Sequence, residues 1–313
     1  MRVGQNPAKS IEHVPQPASV TIAVVSYIPF LGGYYAESLP VLESCLASIW
    51  ENTEPPYDLL VFDNASCAEV RAFLTDAHQQ KRIQYLVLSD KNMGKGGAWN
   101  FIFQGAPGEY VAYADSDIRF SPGWLMRSLE ILEAYPKAGM VTARPMRTPE
   151  AFYTSTLEWA KQTEGVSIEN GVFNPWEVYR QHVLSLGTSE DQAREWYASR
   201  SDWRLTYHDV PALIGAAHFQ FTARKSTLQP FLPFSMERPM GQVRSLDDQV
   251  NQSGYLRLTT CEPLVMHMGN QIAAAQAAQP APVRPPRRRL VDAAPIRKPL
   301  LWLHDAIFRL YHQ

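Results

Sequence analysis

Four short apolar runs near the start of this chain constrain its fold more than any other feature of the sequence. They occupy residues 20–25, 59–62, 83–88 and 110–114, and a stretch with apolar residues at helical spacing follows each of them. Nearly continuous apolar runs of this length are typical of strands covered on both faces. Strands that alternate with helices predict an α/β fold with a mostly parallel, doubly wound sheet.

Polar residues stand where the predicted strands end. Ser26 follows the first run, Asp63 the second and Asp115 the fourth, and a glycine-rich segment at 90–97 follows the third. Ligands of open α/β sheets bind beyond the carboxyl ends of the strands. We therefore expect these residues to meet at one edge of the sheet.

The second half of the chain has a less regular pattern. We interpret residues 145–210, which contain four tryptophans, as an insertion or cap rather than as part of the sheet. Residues 212–223 are predicted to form one strand that includes Gly215. A short helix is predicted over 247–253, followed by a further strand over 255–260.

Composition and charge exclude several classes of protein. A formal net charge of -2 gives no general attraction to nucleic acid, so we expect no nucleic-acid partner. The three cysteines form neither a metal-binding motif nor a disulfide framework, which favours a reducing compartment. Residues 1–18 lack the apolar core of a signal peptide, and no apolar run is long enough to span a membrane, so we expect a cytoplasmic protein.

Asp115 and Asp117 are candidates for a metal site. Mg²⁺ and Mn²⁺ prefer carboxylate oxygens, and such an ion stabilises a departing diphosphate. Two aspartates at the end of a buried strand can place both carboxylates near one pocket, although the same spacing also occurs in solvated turns. Asp63 could likewise accept a hydrogen bond from a nucleobase or close its strand in an Asx turn.

Three further segments carry candidate site residues, and each also has a purely structural interpretation. The loop 92–100 offers glycines and a helix start to a ligand, or it is a tight strand-to-helix turn. Asp247 and Asp248 could take a proton from an acceptor hydroxyl, although helix starts favour aspartate for structural reasons too. His267 could bind a metal or a phosphate, although a lone histidine is more often structural.

In this order and spacing, the segments resemble family 2 glycosyltransferases with a GT-A fold. The resemblance covers residues 20–270 and depends on the motifs at 24–27, 61–66, 92–100, 113–117, 247–248 and 267. It implies inverting transfer of a sugar from a nucleotide-sugar donor to a hydroxyl of a saccharide or lipid-linked acceptor, as in polysaccharide or glycolipid synthesis. Mn²⁺ or Mg²⁺ would be the cofactor.

The resemblance also implies roles for individual residues. The nucleotide-binding residues would be Val25, Ser26, Asp63, Asn92, Gly94 and Asp115. The metal ligands would be Asp117, Asp115 and His267. Asp248 matches the catalytic base, with Asp247 beside it. The helix after this pair is shorter than usual in the family, which leaves the choice between the two aspartates open.

The resemblance over 20–270, together with the composition of the residues on either side, divides the chain into six segments. These are a flexible N-terminus (1–19), a nucleotide-sugar-binding half (20–144), an insertion or acceptor region (145–210), an acceptor and catalytic half (211–270), an Ala/Pro/Arg linker (271–298) and an amphipathic helix (299–313). The arginine-rich residues 284–289 and the helix have two interpretations. Residues 284–313 could contact the inner face of a membrane, or the helix could dock on its own domain or on a partner.

Two other functions stay open. Sugar nucleotidyltransferases also use paired aspartates, but they carry a glycine-rich basic loop directly after the first strand, where this chain has Ser26-Tyr27-Ile28. A catalytically silent protein that binds a nucleotide-sugar or scaffolds an assembly has no need of an aspartate pair. The presence of Asp115 and Asp117 argues against such a protein.

Overall fold

A computed structural model of the chain describes residues 3–240 and 243–272, which belong to one compact unit. Most of the predicted linker (271–298) and the whole predicted helix (299–313) lie outside the described residues. The same holds for the membrane contact predicted for 284–313. None of the helices in the described ranges combines the length and apolar character that a membrane-spanning segment needs.

The described residues contain twelve strands and nine α-helices, with short 3₁₀ turns between some of them. The strands are β1 (Val20–Ser26), β2 (Asp58–Asn64), β3 (Tyr85–Ser89), β4 (Tyr110–Asp115), β5 (Ile118–Phe120), β6 (Ala138–Thr142), β7 (Ser167–Gly171), β8 (Asp202–Tyr207), β9 (Val210–Ile214), β10 (Gln220–Arg224), β11 (Leu256–Thr259) and β12 (Val265–His267). The helices are α1 (Ser38–Asn52), α2 (Ala68–Gln79), α3 (Gly94–Gly105), α4 (Trp124–Ala134), α5 (Thr154–Gln162), α6 (Trp176–Ser185), α7 (Glu190–Ala198), α8 (Lys225–Leu228) and α9 (Val243–Gln252).

Ten strands form one sheet in the order β3-β2-β1-β4-β10-β6-β11-β9-β8-β7. Strands β3, β2, β1 and β4 are parallel, and the predicted α/β fold class is confirmed. Strand β10 lies antiparallel between β4 and β6, β6 and β11 are parallel, and β9, β8 and β7 extend the sheet in antiparallel fashion. Strands β5 and β12 form a separate two-stranded sheet.

Strands β1, β2 and β4 are covered on both faces, as their apolar runs predict. Strand β3 is not, because it lies at the sheet edge and no strand covers its outer side. Along β1, Ile22 and Val24 pack with α1 and α2 in one cluster, whereas Ala23 packs with α3 in another. This alternation follows from the two-residue period of a strand. A third cluster joins α4 and α5 to β6, β8, β9 and β11. The buried strands therefore fix the sheet edge at which Asp63 and Asp115 lie.

Several predictions for the second half of the chain are wrong. Residues 145–210 are not a cap outside the sheet, because they contain β7 and β8. These strands lack an apolar run because they lie at the sheet edge and are partly exposed, with Glu169 and Arg204 paired across them. The single strand predicted over 212–223 is two strands, β9 and β10, and β6 was not predicted. Gly215 has φ +129, and a Cβ there would lie 3.0 Å from Thr148 Oγ1.

Two helices begin earlier than the sequence suggests. Helix α3 begins at Gly94, so the glycines of the 92–100 loop form its first turn. Helix α9 begins at Val243, which places Asp247 and Asp248 in the middle of the helix and not at its start. The predicted end of this helix is confirmed, since Gly254 follows it with φ +75.

Candidate active site

The carboxyl ends of β1, β2 and β4 bring several predicted site residues together. Ser26 is the register partner of Asp63, and Val25 is the register partner of Asp115. Strands β2 and β3 lie on one side of β1, and β4 lies on its other side. The order of the strands along the sheet therefore changes direction between β1 and β4. In doubly wound sheets the crevice at such a reversal is the usual place for a nucleotide.

Asp63 lies at the base of this crevice and is completely buried. Its Oδ2 accepts hydrogen bonds from the Ser66 backbone N–H and from Arg71 Nε, both at 3.2 Å. Its Oδ1 has no hydrogen-bond partner among the described residues, and neither does the buried Ser26 Oγ. Buried polar atoms are nearly always paired, so these two oxygens are suited to a ligand.

Asn64 holds the turn that contains Asn92 and Gly94. Its side chain donates to Asn92 Oδ1 at 3.0 Å and accepts from the Met93 N–H at 2.8 Å. Gly94 has φ +68, and a Cβ there would lie 3.1 Å from the Cα of Pro239. Close packing within the chain therefore accounts for the glycine at position 94. The Oδ1 of Asn92 accepts hydrogen bonds within the turn.

Asp115 is paired with a cation of the protein. Lys95 Nζ, on the first turn of α3, lies 2.7 Å from Oδ1 and 2.8 Å from Oδ2 of Asp115. The Tyr113 hydroxyl donates to the same Oδ1 at 2.6 Å. Burial raises the pKa of Tyr113, and the charge of Asp115 raises it further, so the hydroxyl keeps its proton. Sequence reasoning did not assign a role to Lys95, although a lysine between glycines at a helix start is a recognisable signal.

Asp117 and His267 lie side by side, because β5 pairs with β12 and places His267 opposite Ile118. His267 Nε2 is 3.3 Å from Asp117 Oδ2, and His267 Nδ1 is 2.9 Å from Ser185 Oγ on α6. Asp117 Oδ1 is buried without a partner among the described residues. Burial raises the pKa of Asp117, and the neighbouring His267 opposes the rise.

These two residues fit a divalent cation, whereas Asp115 is held by Lys95. Within residues 3–240 and 243–272, no group of three or more His, Cys, Asp or Glu side chains is arranged to hold a metal. Mg²⁺ in nucleotide sites commonly takes only one or two carboxylates and completes its shell with phosphate oxygens and water. The unpaired Oδ1 of Asp117 and the imidazole of His267 are a donor set of that kind.

Asp247 and Asp248 have different surroundings on α9. Asp247 is buried, and its Oδ1 accepts from Arg257 Nη2 at 2.5 Å. Its Oδ2 lies 3.0 Å from Nδ1 of His218, in the turn before β10. Asp248 is half-buried and forms no hydrogen bond or ion pair with the described residues. Asp247 is therefore engaged in the protein, and Asp248 is left for an external group.

The tryptophans of 145–210 are mostly structural. Trp159 packs on Tyr135 and Tyr207, and Trp203 belongs to the same cluster. Trp176 packs on Tyr197. Trp196 differs from these, because 39% of its surface is exposed.

Polar side chains that converge at the carboxyl ends of the parallel strands of an α/β sheet are typical of nucleotide-binding proteins. The model of the glycosyl transferase family 2 matches residues 34–195, more than half of the 313 residues. The chain belongs to glycosyl transferase family 2.

Two curated proteins are similar to part of the chain. An uncharacterized glycosyltransferase, alr2836 of Nostoc sp. (strain PCC 7120), is 27% identical over 100 residues, which are 32% of this chain and 31% of that protein. The succinoglycan biosynthesis protein ExoW of Rhizobium meliloti is 28% identical over 104 residues, 33% of each chain. The chain thus spans about a third of the length of each relative.

Two solved structures are similar to a large part of the chain. S. aureus TarS 1–349 has a TM-score of 0.46 and 12% identity over 80% of this chain and 60% of that chain. The mannosyltransferase PcManGT from Pyrobaculum calidifontis, in complex with GDP-Man and Mn²⁺, has a TM-score of 0.45 and 16% identity over 78% of this chain and 55% of that chain.

Proposed function

We propose that this protein is a glycosyltransferase that moves a sugar from a nucleoside-diphosphate donor to a hydroxyl acceptor with inversion, in the synthesis of a polysaccharide or glycolipid. One observation carries the proposal. Asp63 Oδ1 and Asp117 Oδ1 are buried carboxylate oxygens without partners among the described residues. Asp63 lies at the end of β2 and Asp117 just beyond the end of β4, and both of these strands pair in parallel with β1. A nucleobase N–H and a metal-bound diphosphate are the two groups that would satisfy them.

The donor would lie along the carboxyl ends of β2, β1 and β4, as far as the turn that contains Asp117. Asp63 Oδ1 would accept an N–H of the base, and the backbone of Val25 and Ser26 would lie against the nucleoside. Asp117 and His267 would hold Mn²⁺ or Mg²⁺, which supplies positive charge to the departing diphosphate when bound. Lys95 adds a further positive charge beside Asp115.

The acceptor hydroxyl would attack the anomeric carbon on the face opposite the diphosphate. The new C–O bond forms as the bond to the diphosphate oxygen breaks, and the hydroxyl proton passes to Asp248. Asp247 cannot readily serve as this base, because Arg257 and His218 occupy its two oxygens. Its role would be to position α9 and hence Asp248. Inversion itself rests on the family resemblance.

A thermal-shift screen tests the donor and metal assignments together. We expect one of UDP, GDP and dTDP, but not CMP, to raise the melting temperature more in the presence of Mn²⁺ than in its absence. Saturation at about 100 times the dissociation constant stabilises a protein by about 2.7 kcal/mol.

Asp117→Ala should remove the Mn²⁺-dependent part of the shift and leave the rest. Asp76→Ala is the matched control, because Asp76 is exposed on α2 and bonds only within its own helix. A Mn²⁺-dependent shift that survives in Asp117→Ala contradicts the metal assignment. A full panel without any nucleotide-dependent shift contradicts the donor class.

A further inference from the structure

Two adjoining cavities lie beside α6 and α7, next to the segment 145–150. One, of about 280 Å³, has His182 and Asn174 in its wall, and we call it the His182 cavity. The other, of about 440 Å³, has Asp202 and Thr148 in its wall. Met146, Arg147 and Arg200 belong to both walls, so the two cavities adjoin each other, and we call them together the groove.

The His182 cavity is separated from the candidate metal site by one layer of side chains. The ring of His182 lies 5.8 Å from the ring of His267 and 5.1 Å from that of Phe219. The Phe219 carbonyl in turn accepts the Asp115 backbone N–H at 2.8 Å. Helix α6 therefore carries one wall of the cavity and also Ser185, which contacts His267.

Two buried polar side chains of the cavity wall lack partners. Asn174 is 1% exposed and His182 is 9% exposed. Asn174 Oδ1 and His182 Nδ1 have no hydrogen-bond partner among the described residues. Since buried polar atoms are normally paired and both residues line the cavity, these two atoms are candidates to bind a polar ligand there.

The charge around the His182 cavity is positive. Its wall contains Arg147 and Arg200 and no Asp or Glu. Asp202 neutralises Arg147 through two hydrogen bonds of 2.7 and 3.0 Å, whereas Arg200 is exposed and forms no ion pair with a described residue. Arg200 also lines the adjoining cavity, whose wall contains Glu150, but no described carboxylate forms an ion pair with Arg200. The guanidinium of Arg200 is therefore available to an anion in the His182 cavity.

A second uncompensated cation packs against α6. Arg144 is completely buried, and its Nη2 donates to the Val178 carbonyl at 2.7 Å. Its Nε and Nη1 have no partner among the described residues, and no carboxylate there pairs with it. Buried guanidinium groups are rarely left unpaired, because desolvation of the charge is costly. The field next to α6 is accordingly one that attracts an anion.

The wall also offers aromatic surface of the kind that packs on sugar rings. Tyr179 and Trp196 both line the His182 cavity, and Trp196 is the tryptophan of this region with substantial exposure. Small-molecule sites typically combine aromatic walls with a few convergent polar groups. Aromatic faces, unpaired polar atoms and a free arginine together describe a site for an anionic saccharide.

We propose that this groove binds the acceptor and selects a saccharide that carries a carboxylate or a phosphate. Arg200 would contact the anionic group, and Trp196 would pack on the sugar ring. The proposal rests on the proposed function and adds to it the chemical class of the acceptor.

Binding of three probes by the full chain tests this proposal. Methyl glucuronide carries a carboxylate, glucose 6-phosphate carries a phosphate, and methyl glucoside is neutral. Ligand-observed NMR titrations would give their dissociation constants with the nucleoside diphosphate and Mn²⁺ present. We expect at least one anionic probe to bind about tenfold more tightly than the neutral one, the effect of one charge-assisted contact. Preference for one anion over the other identifies the group.

Arg200→Gln should remove this preference. Arg194→Gln is the matched control, because Arg194 is an arginine of the neighbouring helix α7 that lines neither cavity. It pairs with Glu190 and packs on Trp176. The control variant should keep the preference. Equal binding of all three probes by the unmodified protein overturns the proposal, and so does an equal loss in both variants or a preference that Arg200→Gln retains.

The same samples distinguish this proposal from the donor assignment. Nucleotide binding is measured separately by the thermal shift. An anion preference that depends on Arg200 in a protein that binds no nucleoside diphosphate would support the groove and contradict the donor class. Nucleotide binding without an anion preference would support the donor class and contradict the groove.

Discussion

The two adjacent aspartates of α9 give opposite predictions for stability and turnover. In Asp247→Asn the side chain keeps its shape but loses the charge that balances Arg257. Arg257 is completely buried, and its other hydrogen bonds go to the Phe152 and Ala216 carbonyls at 2.8 Å. The carbonyls carry no net charge, so the substitution leaves a buried guanidinium unpaired. Breaking a buried pair in this way costs about 3–5 kcal/mol.

Asp248→Asn should have little effect on stability and a large effect on turnover. Asp248 is half-buried and has no hydrogen bond or ion pair with the described residues, and its charge acts on Arg257 only at a distance. Its substitution should therefore cost much less stability than that of Asp247. Loss of a general base typically lowers turnover by about 10²–10⁴-fold. Asp247→Asn should instead lower the melting temperature by roughly 10 °C for a domain of this size.

Thermal denaturation followed by circular dichroism measures the first effect, and transfer or donor hydrolysis below the melting temperature measures the second. Asp76→Asn on α2 controls for the change in net charge. An Asp247→Asn variant as stable as the unmodified protein would refute the argument from the buried pair. Full turnover by Asp248→Asn, with inactivity of folded Asp247→Asn, would reverse the assignment of the base.

Two further predictions concern buried groups outside the proposed reaction. Burial lowers the pKa of Arg144 to about 10, so below that pH its charge destabilises the folded state, and Arg144→Met should be about 1–3 kcal/mol more stable near neutral pH. The difference in unfolding free energy between the two proteins should shrink as the pH rises through about 10, because the folded arginine loses its proton there. Urea denaturation on both sides of that pH measures this difference, and a difference that stays constant contradicts the argument. Burial, with the nearby charge of Asp117, raises the pKa of the Cys45 thiol, so iodoacetamide should modify the less buried Cys67 and Cys261 first, as read by peptide mass spectrometry. Early modification of Cys45 would show that its surroundings open in the native state.

The parts of the fold that the sequence predicts are those in which burial leaves a local pattern. Strands β1, β2 and β4 are covered on both faces, and their apolar runs are unmistakable. Strands β7 and β8 lie near the open edge of the sheet and carry polar side chains. Their strand structure therefore depends on pairing with other strands, and their local sequence pattern does not reveal it. The break between β9 and β10 likewise contains Gly215, whose positive φ and close packing on Thr148 come from the folded structure.

In the candidate site, too, the sequence predicts some features and not others. The positions of Asp63, Asp115 and Asp117 follow from the strands that precede them, and the sequence predicts them. The pairing of Lys95 with Asp115 and of Arg257 with Asp247 depends on how helices pack against strands. The contact of His267 with Asp117 depends on β12 pairing with β5 over a long sequence separation. These pairings alter which carboxylates are free for a ligand, so residue types alone could not decide the roles.

The position of β10 governs the order in which the chain can fold during synthesis. This strand fills the gap between β4 and β6, although about 80 residues separate its start from the end of β6. Until Arg224 has left the ribosome, both β4 and β6 present an unpaired edge in the middle of the future sheet. Open apolar edges of this kind invite pairing with other chains. A fragment that ends near residue 144 should therefore aggregate, and the first half of the molecule is not a module that can be expressed or exchanged by itself.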